Sequence, residues 1–547
     1  METLDQETPV APVQIPADNA GLAIMSVLRN YGIDTIFGIP GTHNLEFYRH
    51  LAPLGIRPVT TRHEQGAGYG ADGWAQQTGL PGVVITTSGP GLLNALSAAG
   101  TAYCESRPLI VLSPGVPEGS EFSDNGSLHE TKDASAAAGA VMEWSRRVHS
   151  AQEAVQAVHD AFELFRYGRP RPVHIEVPLN VLESRHSCPP ELLEALPLLE
   201  PVQADDGAVA AAAAGLRSAV RPVILAGGGS LHAGDNLRRL AERLQAPVIT
   251  TLNGKAAIAE DHPLSLGSNI RLPRAQQLAD DADVLLVIGS KVGEAEMWGG
   301  SVTPRGGVIR IDILGTQLDK NIPADIGLVG DAAAVVPQLL AELDGHRAPV
   351  ADFAALRTEL EEQARALSPE LAAVSETIAA NVAADAIIGG DSSQITYFGT
   401  SSFIPQQQPH SLLYTPAYAT LGYGLPASIG AKIAAPDRQV VCVAGDGALM
   451  FAIQELITAV EQGLDLTVVC VDNGGYAEIR QNERDRGMEP VGVNLSQPNW
   501  PALADAFGGR GQRAATLAEL GDALRSASAD GGLQLIHVPL AEIAASL

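Results

Sequence analysis

Residues 438 to 480 read RQVVCVAGDGALMFAIQELITAVEQGLDLTVVCVDNGGYAEIR, and this stretch constrains the fold more than any other. Residues 439 to 444 read as a buried strand, and Gly445-Asp446-Gly447 makes the turn after it. Leu449, Ile453, Leu456, Ile457 and Val460 then fall on one face of a helix that Gly463 can end. A second apolar strand, 466 to 471, stops at Asp472-Asn473-Gly474-Gly475. Strands that are apolar on both faces belong in a parallel sheet covered by helices on each side. The segment is therefore a βαβ unit with polar groups at both strand ends.

The same alternation runs through the rest of the chain. GLAIMSVLRNYG reads as helix, DTIFGIPG as strand plus turn, and PGVVITTSGPG, RPLIVLSPG and RPVHIEVP as further strands. The proline-rich acidic stretch SCPPELLEALPLLEPVQADDG reads as a linker into a second unit containing RPVILAGGG, APVITTL, ADVLLVIGS and GGVIRIDI. A variable segment, DGHRAPVADFAALRTELEEQARALSPE, leads to the third unit. The expectation is α/β, with three doubly wound parallel-sheet domains over residues 19–187, 204–345 and 368–547 after a disordered tail at 1–18. A chain of 547 residues is too long for one core.

The formal net charge of -28 argues against a nucleic-acid partner, whose phosphates require a basic surface. Cys104, Cys188, Cys442 and Cys470 have no metal-type spacing and read as reduced thiols. The acidic, proline-rich start has no signal-peptide character, and no apolar run is long enough to span a bilayer. A cytoplasmic protein with no membrane partner is expected.

Ligands of open parallel sheets bind beyond the carboxyl ends of the strands, which places Asp446 beside Asn473. One carboxylate, one carboxamide and a loop carbonyl form a hard oxygen site with too few ligands to hold Mg²⁺ unaided. Mg²⁺ completes its octahedron with phosphate oxygens and water. The glycines around Asp446 let backbone N–H groups approach such a phosphate at a helix start. Far upstream, TRHEQGAGYGADGWA sets the carboxylate of Glu64 among glycines and alanines. On its own it reads equally well as an acid favoured at a helix N-terminus.

Taken together these segments resemble the thiamin-diphosphate enzymes of the acetolactate synthase and 2-oxo acid decarboxylase group. Gly445 to Asn473 resembles the cofactor signature, GDG followed one helix and one strand later by Asn. RHEQGAGYGADGWAQQTGLPGVVITTSGPGLLNAL, PVITTLNGKAAIAEDHPLSLG and TLGYGLPASIGAKIAAPDRQVV resemble the other conserved parts. The resemblance implies that Asp446 and Asn473 ligate Mg²⁺ through side chains and Gly475 through its carbonyl. It places Ser392, Ser393, Thr420, Leu421, Gly445, Gly447, Ala448, Gly475 and Tyr476 at the cofactor, with Leu421 as the apolar wedge behind its bent form. Glu64 would contact the aminopyrimidine and generate the thiazolium ylide, a task suited to a carboxylate in a dry pocket. In the family these two halves come from different subunits, so a homodimer at least, and a homotetramer, is expected.

Substrate positions point in several directions. GIPGTHNLEFY resembles the turn of pyruvate-type decarboxylases, but Thr42 stands where they have an acid, and their adjacent His-His pair is absent from the sequence. TSGPGLLNA and LHETKDASAAAGAVMEWSRRV resemble acetolactate synthase, with His129 at a pocket position. GSKVGEAEMWGG departs from the stretch by which that synthase holds FAD, so FAD is not expected, although Gly227-Gly228-Gly229 could meet a nucleotide. GIPGTHN, RPRPVHIEVP and RGMEPVGVNLSQPNW are most similar to the 5-guanidino-2-oxopentanoate (2-ketoarginine) decarboxylase branch. Thr42, His43, Asn94 and Glu478 are the expected substrate residues, Glu478 as a partner for a guanidinium tail or as part of a solvated face beside Arg480, Arg484 and Arg486. His43 and His129, with Glu64, are the expected catalytic groups. The resulting expectation is decarboxylation of a 2-oxo acid through an enamine, released as aldehyde or transferred to an acceptor. Acetolactate-type carboligation is the alternative within the family, and a non-catalytic regulatory homologue is the alternative outside it.

Overall fold

The computed structural model describes residues 15–547, so most of the tail expected at 1–18 lies outside the described residues. Asp18, which is described, is anchored: its carboxylate pairs with Arg185 at 3.2 Å and its carbonyl accepts the His186 N–H.

Three wholly parallel sheets follow one another along the chain. The first comprises β1 (Thr35–Gly38), β2 (Arg57–Thr60), β3 (Gly82–Ile85), β4 (Leu109–Gly115), β5 (Trp144–Arg147) and β6 (Val173–Pro178), in the order β2-β1-β3-β4-β6-β5. The second holds β7 (Pro222–Ala226), β8 (Val248–Thr250), β9 (Val284–Ile288), β10 (Gly307–Asp312) and β11 (Ile326–Val329), in the order β11-β10-β9-β7-β8. The third holds β12 (Ile387–Gly390), β13 (Leu412–Leu413), β14 (Val440–Gly445), β15 (Leu466–Asp472), β16 (Arg510–Arg513) and β17 (Leu533–Pro539), in the order β13-β12-β14-β15-β17-β16. The first and third sheets are therefore wound identically. In each, the chain leaves the first strand in one direction and returns on the other side, creating a switch point between β1 and β3 and between β12 and β14.

The central strands β3, β4, β14 and β15 are buried nearly throughout, as apolar runs without alternation require. Two local expectations are corrected. The helix expected through Leu449–Val460 is broken into Asp446–Leu449 and Glu455–Glu461, joined by i→i+3 turns at Phe451, Ala452 and Glu455. The break lets the buried Glu455 carboxylate accept the Arg62 backbone N–H of the first unit, an interaction outside helix periodicity. The segment before the third unit, read as variable, contains the regular helix Ala354–Leu367.

The first and third units meet along the helices Glu64–Thr78 and Gly424–Ala434. A Cβ on Gly73 would lie 2.0 Å from the Ala427 carbonyl oxygen, and one on Gly430 would lie 1.8 Å from that of Gly70. The glycines of GAGYGADG thus permit close helix contact between units. All three units converge on Arg107, which donates to Asp72, Asn253 and the carbonyl of Tyr414. Among the described residues no helix is long and apolar enough to cross a membrane.

Candidate active site

β14 and β15 end side by side, with Gly445 paired to Val471. Asp446 opens the one-turn helix after β14 and is 1% exposed. Its Oδ1 accepts the Asn473 backbone N–H at 3.3 Å and its Oδ2 accepts from the Gln497 amide. Burial pushes the carboxyl up to about 6, and the charge of Asp472 acts in the same direction against the backbone N–H groups of Asn473, Gly447 and Gly475.

The Asn473 amide oxygen lies 3.2 Å from Asp446 Oδ1 and 3.1 Å from the Gly475 carbonyl oxygen, while its nitrogen donates to Gln394 Oε1. Three oxygens facing one another repel unless a cation lies among them. Mg²⁺–oxygen bonds of about 2.1 Å put neighbouring ligand oxygens roughly 3 Å apart in an octahedron. Turning the amide over would replace the repulsion with two hydrogen bonds; the oxygen-inward orientation is the one that suits a metal. The donor set and its spacing fit Mg²⁺.

The glycines of the surrounding turn are packed closely against neighbouring protein. Gly475 has φ +127°, and a Cβ there would sit 2.2 Å from the Val493 carbonyl oxygen. A Cβ on Gly447 would press on the Tyr476 ring at 3.0 Å. Across the switch point, Ser393 Oγ accepts the Gly445 N–H at 3.2 Å. The Ser392 hydroxyl is buried beside the Tyr397 and Tyr414 phenols without meeting hydrogen-bond geometry. Ala448 is buried in the turn itself. A phosphate oxygen would satisfy the Ser392 hydroxyl, so this edge fits a diphosphate.

Asp391, which sequence reasoning passed over although it lies within GGDSSQ, organises the adjoining loop. It is 1% exposed and accepts the backbone N–H groups of Ser392 at 2.8 Å, Gly422 at 3.1 Å and Gly424 at 2.9 Å. Leu421 and Thr420 are carried on that loop, and Thr420 Oγ1 is 2.8 Å from the Tyr69 hydroxyl. Glu478 is half-buried and accepts from Gln394, the side chain that also touches Asn473. Arg480 is engaged by Asn494 and the Asn473 carbonyl instead.

The second group of residues belongs to the first sheet. Glu64 is the first residue of its helix, 8% exposed, and accepts from Asn94 Nδ2 at 3.0 Å. Asn94, expected at the substrate, is therefore placed on the carboxylate. The pocket of Glu64 is built less by its own helix than by the next one: a Cβ on Gly91 would lie 3.2 Å from Glu64 Oε1. Burial, and then the charge of Glu64, drives the Tyr48 phenol up.

Thr42 is exposed at the tip of the turn after β1, and His43 follows it. The sequence holds no adjacent histidine pair, but the fold makes one, with the rings of His43 and His129 edge to face at 5.2 Å. Ser88 Oγ lies 2.6 Å from His43 Nδ1 and 3.3 Å from His129 Nδ1. Burial, with the charge of His129 second, holds His43 below the usual imidazole value. Ser88, Gln394 and Gln497 were not picked out from the sequence, because each acts through a residue distant along the chain.

In the middle unit, a Cβ on Gly227 would lie 2.4 Å from the Gly289 carbonyl oxygen and one on Gly229 would lie 2.9 Å from Gly289 Cα. Close packing of two strand-end loops accounts for Gly227 and Gly229.

Three family models for thiamine pyrophosphate enzymes match the chain in order: the N-terminal TPP binding domain at residues 18–137, the central domain at 209–339 and the C-terminal TPP binding domain at 394–538. The chain belongs to the thiamine pyrophosphate enzymes, in the group of 2-oxo acid decarboxylases and acetolactate synthases. It is 37% identical to a probable 2-ketoarginine decarboxylase AruI of Pseudomonas aeruginosa, over 95% of this chain and 93% of that protein. It is 31% identical to a probable acetolactate synthase large subunit of Methanocaldococcus jannaschii, over 92% of this chain and 89% of that one. To the acetolactate synthase isozyme 1 large subunit of Escherichia coli it is 31% identical, over 84% and 82%.

Proposed function

We propose that this enzyme holds thiamin diphosphate through Mg²⁺ at the ends of β14 and β15 and decarboxylates a 2-oxo acid with a cationic tail, releasing an aldehyde. The convergence of the Asp446 carboxylate, the Asn473 side-chain amide and the Gly475 carbonyl is the observation that carries the reading. Asp446 Oδ1, Asn473 Oδ1 and the Gly475 carbonyl would hold the metal, while Ser392, Ser393 and the Gly445–Ala448 turn would receive the diphosphate. When bound, the cofactor supplies a carbon nucleophile and a sink for the electron pair left as CO₂ departs. Leu421 orients it. Glu64, fixed by Asn94, would hold the proton needed at the aminopyrimidine nitrogen of a bound cofactor. His43 and His129 serve the proton transfers at the substrate carbon and oxygen. Glu478, held by Gln394 rather than by Arg480, receives the guanidinium or ammonium tail.

A dimer in which Glu64 of one protomer completes the metal half of the other is part of this reading. Leu93 beside Asn94, and Met450 and Phe451 just past Asp446, are 43%, 45% and 48% exposed in the single chain. They leave apolar surface at each half-site for a partner to cover.

The test is a panel of 2-oxo acids, pyruvate and a guanidino member included, given to the enzyme loaded with thiamin diphosphate and Mg²⁺. CO₂ release and product identity are followed. The guanidino acid should give aldehyde fastest, and Glu478→Gln should erase its advantage over neutral acids. Preferential conversion of pyruvate to acetolactate would replace this reading with carboligation. Undiminished CO₂ release by Glu64→Gln would remove the role given to Glu64.

A further inference from the structure

We infer that Ser88 is a positioning residue that joins His43 and His129 into one acid–base pair of complementary tautomers. The inference rests on the decarboxylase reading for its use in catalysis but on geometry alone for its existence. The turns after β1 and β3 are adjacent because Gly38 pairs with Ile85 across the switch point. The first turn is rigid: Asn44 accepts the Gly41 N–H at 2.8 Å and donates to the Ile39 carbonyl at 2.9 Å. The turns also touch, since a Cβ on Gly41 would lie 3.0 Å from Thr87 Oγ1. His129 comes from a third segment, held at φ +60°, with its carbonyl oxygen 2.5 Å from where a Gly89 Cβ would stand. Backbone from three parts of the chain thus fixes both imidazoles on the buried Ser88 hydroxyl.

A hydroxyl has one proton to give, and a neutral imidazole carries one N–H. If Ser88 donates to one Nδ1, that ring must carry its proton on Nε2. The same oxygen accepts from the other Nδ1–H, and that ring's Nε2 is then bare. The assembly therefore presents one Nε2–H acid and one Nε2 base while neutral overall. A proton taken at the bare Nε2 from the substrate oxygen lets Nδ1–H pass to Ser88 Oγ. The Ser88 proton passes to the other Nδ1, and that ring's Nε2–H leaves to the substrate carbon. One proton enters and one leaves, so the pair stays neutral, but the two rings exchange tautomers and Ser88 now donates to the ring it had accepted from. A reverse relay, taking one proton from water and returning one, restores the starting pair. The one proton consumed per turnover, because a carboxylate departs as CO₂, is drawn from water.

The experiment uses protein labelled with ¹⁵N-histidine, without cofactor, at pH 8. Side-chain ¹⁵N shifts read the tautomers, assigned with His43→Gln and His129→Gln. The wild type should show one Nε2–H and one Nδ1–H ring. Ser88→Ala should move both to the mixture of an unconstrained imidazole, and Ser88→Thr, which keeps the hydroxyl, should restore the complementary pair. In the loaded enzyme, Ser88→Ala should lower kcat for aldehyde about tenfold or more with cofactor affinity unchanged and more product diverted to carboligation. Identical tautomers in the wild type, or tautomers unmoved in a folded Ser88→Ala, overturn the inference. A substrate panel without CO₂ release would instead sink the decarboxylase reading and leave the tautomer result standing.

Discussion

Replacing Asp391 tests how the cofactor loop is held. Its carboxylate accepts three backbone N–H groups, two of them from Gly422 and Gly424 on the loop that carries Leu421. Asp391→Ala leaves those donors buried without an acceptor. A hydrogen bond to a charged group contributes about 1.5–3 kcal/mol, and the three share one acceptor, so the combined cost is about 4 kcal/mol rather than their sum. A loss of about 1.5–3 kcal/mol at Gly422 and Gly424 makes local opening roughly tenfold to a hundredfold more frequent. Hydrogen exchange of peptides covering 415–425 reads this directly, and thiamin diphosphate affinity should fall with it.

Asp391→Asn separates charge from shape. Burial pushes the Asp391 carboxyl up to about 6 from 3.8, which is about 3 kcal/mol in favour of the protonated form. The folded state holds that proton more tightly than the unfolded chain does. This stabilisation is complete below 3.8 and is lost as pH rises through about 6. At pH 7.5 the wild type bears the whole cost of a buried anion, which asparagine removes while turning an NH₂ toward one backbone N–H, at about 1–3 kcal/mol. The two effects nearly cancel at pH 7.5, so exchange should stay within a few-fold of wild type there, and the variant should fall behind at pH 5.5. Unchanged exchange in Asp391→Ala would refute the reasoning, as would an Asp391→Asn as open as the alanine variant at pH 7.5.

Three further outcomes follow from contacts elsewhere in the fold. Gly475→Ala should abolish Mg²⁺-dependent cofactor binding in calorimetry, because its Cβ meets the Val493 carbonyl at 2.2 Å; Gly463→Ala, with φ +64° and nothing within 4 Å, should bind normally and cost only about 1 kcal/mol of stability. Arg107→Met strands the buried Asp72 carboxylate and should lower the thermal midpoint by the equivalent of about 3–5 kcal/mol, and adding Asp72→Asn should recover much of it, since Tyr423 and Gln76 still reach that side chain. Stripping divalent metal with a chelator should weaken thiamin diphosphate binding and added Mg²⁺ should restore it; tight binding in chelator would contradict the role given to the oxygen cluster.

Apolar runs marked β14 and β15 to within a residue or two, because a strand buried on both faces has a composition that no exposed element shares. The same reasoning failed between Leu449 and Glu455, where a buried carboxylate received by another unit outweighs helix periodicity. It also misassigned the glycines after Glu64. Composition showed that the surroundings are small, and only the fold shows that the smallness serves contact with the helix Gly424–Ala434, while Gly91 and Asn94 form the pocket. Asp446 and Asn473 were legible because one βαβ unit fixes their distance. His43, Ser88 and His129 were not legible as a group, since their meeting depends on strand order across the whole first sheet.

The identical winding of the first and third sheets gives that difference a physical basis. Each sheet has one switch point, and each switch point collects the turns after its first and third strands. In the third sheet those turns carry hydroxyls, glycines and the carboxylates of Asp391 and Asp446, and the turn after β15 adds Asn473 and Gly475, a set that suits a metal and a diphosphate. In the first they carry a histidine and a serine, joined by His129 from a later loop, and the helix after β2 begins with Glu64. One architecture thus yields an edge with donors suited to anionic ligands and an edge with proton-carrying groups. The residues at each edge lack what the other has, so the proposed reaction would require both. With Leu93 exposed beside one edge and Met450 and Phe451 beside the other, the face-to-face pairing of two protomers proposed above would bring unlike edges together and cover that apolar surface in the same step.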